Sequence, residues 1–139
     1  HYRTMPSSVD WASKQITLED VTDKIPNGSA VYIGSAAATA EATLAALVDD
    51  WKVANIQIIQ MLPGGNLPHL TETLDRFRTS SFYSFTKTGY YQPADDENAE
   101  GLEDYTPISL STVSRLLEEN RLRADVAIIK TTKPHKGFV

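Results

Sequence analysis

Cysteine is absent from the 139 residues, which excludes disulfides, thiolate zinc centres and a cysteine nucleophile and is compatible with a reducing compartment. No apolar run comes near the roughly 18 residues that a membrane span requires. The opening "HYRTMPSS" has no apolar core of the kind a secretory signal carries, so a cytoplasmic location with no membrane partner is expected. Basic charge is also scarce, with 13 Lys and Arg against 18 Asp and Glu and a net charge of -5. A phosphate-backbone binder clusters Lys and Arg on one face, so nucleic acid is not an expected partner. What remains is 41% hydrophobic and 22% charged, the balance of one ordinary globular domain.

The apolar residues alternate between two periods along the chain. "SVDWASKQ" and "TLEDVTDKI" have the pattern of short helices, the second with Thr17 as N-cap and Asp20 three residues on. Asn27-Gly28 marks a turn that feeds a buried strand from Ala30 to Ile33. "AEATLAALVDDW" sets Leu44, Leu47, Val48 and Trp51 on one helical stripe, and "NIQIIQML" is the next strand. A strand, a helix and a strand make a βαβ unit, which builds parallel sheet with a right-handed crossover.

The second half repeats the pattern less regularly. "TETLDRF" is expected as a short helix and "SSFYSFT" as the third strand. The acidic stretch 93–104, "PADDENAEGLED", is expected as an exposed insertion. "PISLSTVSRLLEENR" should form a helix capped by Ser109 or Ser111 with Val113, Leu116 and Leu117 inward, and "ADVAIIKT" a final buried strand. The fold class expected is α/β: an open, mostly parallel sheet with flanking helices.

Such sheets bind ligands at the carboxyl ends of their strands, which points to the loops 34–37, 61–70 and 131–137. In "GSAAA" the side chains are small enough to leave backbone N–H groups accessible, and the N-terminus of the following helix favours an anion such as phosphate or carboxylate. A strand-to-helix turn selected for packing alone carries the same residues. His69 and His135 have the right chemistry for acid-base work, but loop histidines are commonly surface residues. No second ligand stands at metal spacing around either, so no metal is expected. The Glu118-Glu119 pair lies beside Arg121 and Arg123 as a solvated face, and no "GxSxG" elbow is present.

Five segments in order, "GSAVYIGSAAATAEATLAAL", "NIQIIQMLPGGNLPHL", "DRFRTSSFYSFT", "DYTPISLSTVSRLL" and "ADVAIIKTTKPHKGFV", resemble the N-terminal part of the acetyl-CoA hydrolase/transferase family. That family includes acetate, propionate, butyryl and 4-hydroxybutyrate CoA-transferases. The most specific pieces are "DYTPISLS", similar to the family's Tyr-x-Pro element before a helix, and "DVAIIKTTKPHKGF", similar to its strand and Gly-Phe loop. "MLPGGNLPHL" with "FRTSSF" is nearest to the branch that carries a fused acetyltransferase domain. Two departures stand out: Thr132 where Ser is usual, in a loop one residue shorter with no aspartate after Pro134, and the acidic stretch "QPADDENAEG".

The resemblance implies transfer of CoA between acyl groups, or hydrolysis of an acyl-CoA, with CoA or acyl-CoA as substrate. In the family a glutamate carboxylate attacks the acyl carbonyl and expels the CoA thiolate, giving a mixed anhydride. The thiolate then attacks the glutamyl carbonyl, breaking the anhydride and releasing the donor's carboxylate, to form a glutamyl thioester that an incoming carboxylate resolves. That glutamate belongs to the family's C-terminal half, so no catalytic residue is assigned here. Residues 1–139 would then be one wall of the active site. Gly34, Ser35 and Ala36 would face small carboxylates or the acyl group, with Ser80 and Ser81 near the next strand. The implied partner is the C-terminal CoA-transferase domain of the same polypeptide, and an unfinished sheet edge predicts homo-oligomers or modest stability. The alternatives are a non-catalytic CoA- or nucleotide-binding module and an assembly module using the aromatic "FYSFTKTGYY".

Overall fold

The computed structural model describes residues 10–62, 75–82 and 104–133. Five strands, β1 (Ala30–Ile33), β2 (Ile56–Gln60), β3 (Phe77–Ser81), β4 (Asp104–Tyr105) and β5 (Val126–Ile128), form one sheet in the order β4-β3-β2-β1-β5. Every pairing is parallel, so the expected open α/β sheet is observed. Helices α1 (Leu18–Val21), α2 (Glu41–Asp49) and α3 (Leu110–Glu118) flank it. No helix among the described residues is long and apolar enough to cross a membrane.

A parallel sheet covered on both faces needs apolar residues at consecutive positions, and β1 meets this with Ala30, Val31 and Ile33 buried. One face sets Val31, Ile33, Ile56, Ile58 and Phe77 against Leu44, Leu47 and Val48 of α2. The other buries Ala30, Ile59 and Phe82 with Val113 of α3, and Tyr32, Met61 and Leu117 pack at its margin. Thr17 caps α1 as expected, its hydroxyl accepting from the Asp20 N–H at 3.2 Å. Of the inward residues expected in α3, Val113 is buried and Leu116 and Leu117 are half-buried.

Four expectations are corrected. The segment around Trp11 makes only a single 3-10 turn, Ala12–Lys14. Helix α2 stops at Asp49, because Asp50 turns the chain, its side chain accepting the Lys52 N–H and its carbonyl the Val53 N–H. Trp51 therefore leaves the helical stripe and is 77% exposed.

The third strand starts earlier than "SSFYSFT", and Phe77 belongs to it rather than to a helix. Its inward residues are Phe77, Thr79 and Ser81, so small polar side chains hide a regular period of two. Residues 71–74 and 83–86 lie outside the described residues, as does 93–103 of the acidic stretch, whereas Asp104 begins β4 beside Ser80. Among the described residues the final strand is an edge rather than a buried element. It pairs there with β1 alone, and Ala127 is exposed and Ile129 55% exposed.

Candidate functional site

Chain order and sheet order diverge at β1: the chain runs outward through β2, β3 and β4, then returns to β1's other side as β5. The crevice at the carboxyl ends of β1 and β5 is the topological switch point, where open α/β sheets bind ligands. Gly34 to Ala40 leave β1 there, and Ile129 to Lys133 leave β5.

These two loops are joined by the backbone. The Gly34 N–H donates to the Ile128 carbonyl at 2.9 Å, and the Lys130 N–H donates to the Ala38 carbonyl at 2.9 Å. A third tie runs to the end of β2, from the Ala36 N–H to the Leu62 carbonyl at 2.7 Å. The buried Thr39 hydroxyl closes the loop on itself by donating to the Gly34 carbonyl at 3.0 Å. A Cβ on Gly34 would stand 2.4 Å from the Ala38 carbonyl oxygen, so only glycine lets the loop fold back on the strand. Ala36 is held at φ 48, a left-handed conformation an L side chain adopts at a cost.

The amides are less available than the small side chains imply, because those of Ala36, Ala38 and Thr39 are engaged. Ser35 and Ala37 keep theirs free among the described residues, and the half-buried Ser35 hydroxyl has no partner there either. The tip is therefore Ser35 to Ala37, with exposed Lys130 and Lys133 on the adjoining loop. At the first turn of α2, Ala40 supplies no side-chain cap to the leading N–H groups.

Ser80 and Ser81 are adjacent in sequence but point to opposite faces of the sheet. Ser80 is half-buried, its hydroxyl accepting from Gln57 Nε2 at 3.2 Å. Ser81 is fully buried on the face of α2 and accepts from Gln60 Nε2 at 2.7 Å. The register places Ser81, Gln60, Ile33 and Ile128 in one row across the carboxyl ends, immediately beneath Gly34. Gln60 and Thr39 are the buried polar residues of this region that the sequence reading passed over. Gln60 could have been found as an amide at a buried position of the apolar run "IQIIQML". His69, His135 and residues 63–70 and 134–137 of the two other expected loops lie outside the described residues.

A second concavity, about 450 Å³, opens at the amino ends of the strands between Arg76, Arg78 and Arg123. Each guanidinium there has a structural partner. Arg78 pairs with Asp104 at 2.6 Å, Arg123 with Asp125 at 2.7 Å, and Arg76 donates to backbone carbonyls after α2. Asp125 in turn accepts the Ala30 N–H at 2.8 Å, which holds its carboxyl below the usual range, with Arg123 adding to the effect. This end of the sheet is built to fix strand starts.

No family model matches the sequence, and no curated protein matches it. Solved structures do: RipA from Yersinia pestis has a TM-score of 0.59 at 20% identity, over 76% of this chain and 26% of that one. A point variant of RipA has a TM-score of 0.61 at 21% identity, over 79% of this chain and 27% of that one. The likeness is one of fold, and the chain spans about a quarter of the length of the RipA structures it resembles.

Proposed function

We propose that this chain is the N-terminal active-site wall of an acyl-CoA:carboxylate CoA-transferase or acetyl-CoA hydrolase. The observation that carries the reading is the joint between Ala38 and Lys130 at the switch point. It fixes the Ser35 to Ala37 tip at the mouth of the crevice, with two amides and one hydroxyl that are free among the described residues and with Lys130 and Lys133 on the adjoining loop. Donors so arranged suit a carboxylate or the oxyanion of an acyl-transfer intermediate. The five segments quoted from the sequence support the same assignment. Ser35 is the side chain best placed to meet the substrate, while Gly34 and Ser81 support the wall from behind. The glutamate nucleophile then comes from polypeptide other than these residues, and this chain alone binds without turnover.

The test is CoA exchange from acetyl-CoA to a panel of short carboxylates, run on the polypeptide from the native source and on this chain. Hydroxylamine-sensitive exchange by the source polypeptide, with an inert 139-residue chain, is the expected result. A source polypeptide that neither exchanges CoA nor hydrolyses acetyl-CoA would overturn the reading and leave a CoA-binding or assembly module.

A further inference from the structure

Helix α2 carries two apolar stripes. Leu44, Leu47 and Val48 face the sheet. Ala42, Ala45, Ala46 and Asp49, at helical spacings of three and four, line a groove of about 600 Å³ shared with Leu18 and Glu19 of α1. Its floor is Leu18 and the three alanines, which let a neighbouring backbone approach closely. Leu18 is 41% exposed, although α1 and α2 contact one another. The rim is acidic, from Glu19, Asp49 and Asp50, and among the described residues no lysine or arginine lines it. Beyond the rim the chain passes directly from Asp50 into the exposed Trp51, a residue type enriched where partners bind.

We infer that this groove docks a basic amphipathic helix of a partner protein, one that lays an apolar stripe on Leu18 and the alanines and sets Lys or Arg against Glu19 and Asp49. Charge selects this occupant. A cationic segment gains from the rim, whereas an anionic lipid surface meets only like charge there. Length agrees as well, because nine residues of α2 span about 14 Å, enough for two to three turns of a docked helix. The Thr22 hydroxyl and the Lys52 N–H, with the Lys52 and Arg76 charges adding to them, hold the Asp50 carboxyl below the usual carboxylate range; because those cations already face Asp50, the rim's pull on a cationic partner rests on Glu19 and Asp49. The inference is independent of the proposed transferase role.

The probe is an amphipathic Leu/Lys peptide of about four helical turns, compared by calorimetry and amide NMR with its Leu/Glu counterpart. The Leu/Lys peptide should bind at least about tenfold more tightly, with shifts centred on Leu18, Ala42, Ala45 and Ala46. The charge-reversed double variant Glu19→Lys/Asp49→Lys should reverse the preference, and its gained affinity for the Leu/Glu peptide reports that it folds. Equal binding of both peptides, binding unmoved by the reversal, or no binding would overturn the inference. Phosphatidylserine vesicles that perturb the same amides would reassign the groove to a membrane, and a concentration-dependent dimer perturbing them would reassign it to a second copy.

Discussion

The Ala38 carbonyl oxygen occupies the space that a Gly34 side chain would need, 2.4 Å from the position of its Cβ. Two residues on, Ala36 has the opposite problem, a Cβ on a backbone at φ 48. The two positions therefore respond oppositely to the same pair of residues. Gly34→Ala should destabilise by about 2–4 kcal/mol, because the obstacle is backbone fixed by the Lys130 N–H. Ala36→Gly should be neutral or stabilising by about 0.5 kcal/mol, the relief of strain being partly offset by unfolded-state entropy. Urea unfolding of both variants checks the pair, and a well-tolerated Gly34→Ala would mean that the loop opens more easily than its hydrogen bonds imply.

Arg76 caps a helix from outside it. One guanidinium nitrogen donates to the carbonyls of Asp50 and Val53, both at 2.8 Å, and the other donates to Val48, while the cation lies 5.3 Å from the Phe77 ring centroid. These carbonyls lie at and just beyond the negative end of α2, where a cation also meets a favourable dipole. Arg76→Ala should cost about 2–3 kcal/mol. Arg76→Lys should recover only part of it, since a point charge cannot serve three carbonyls as a planar fork does. Thermal unfolding of the two variants beside the native chain measures the difference.

The sheet was legible wherever burial and apolar character coincide. "AVYI" and "IQIIQ" announce their strands, and Leu44, Leu47 and Val48 announce the helix between them. It was illegible where burial falls on polar residues, as in β3, whose inward Thr79 and Ser81 resemble a loop. The edge position of β5 depends on pairing order, which no local period encodes. At the candidate site the sequence located the turn at Gly34, but not the bonds that occupy three of its amides: the Ala36 N–H reaches Leu62, an acceptor set by the tertiary path, and the Ala38 and Thr39 N–H groups close local turns onto Ser35 and Ala36 that a run of alanines does not announce.

Ser80 and Ser81 separate structural from surface roles within one dipeptide. Ser81→Ala removes one acceptor of the buried Gln60 amide and should cost about 1 kcal/mol, whereas Ser80→Ala should stay within about 0.5 kcal/mol. Urea midpoints of the two variants are the measurement. A stable Ser81→Ala variant would show that Gln60 is satisfied without the hydroxyl and would free Ser81 for a role in binding.

Asp125 links the starts of two strands, since its carboxylate accepts the N–H of Ala30 and pairs with Arg123. Both contacts favour the ionised form, so its folded pKa lies below the usual carboxylate range. A depressed carboxylate contributes stability that is fully present above the unfolded pKa and is lost as pH falls through the folded one. Asp50 acts in the same direction, through the Thr22 hydroxyl and the Lys52 N–H. The melting temperature should therefore hardly respond to these two groups near neutrality and should fall below about pH 4. Asp125→Asn keeps an oxygen for the Ala30 N–H but loses the charge, so it should melt lower than the native chain at pH 7 and fall less steeply in acid. Calorimetric scans across that range test this: the two curves should converge at low pH, and parallel curves would mean that ionisation of Asp125 contributes nothing to holding β1 against β5.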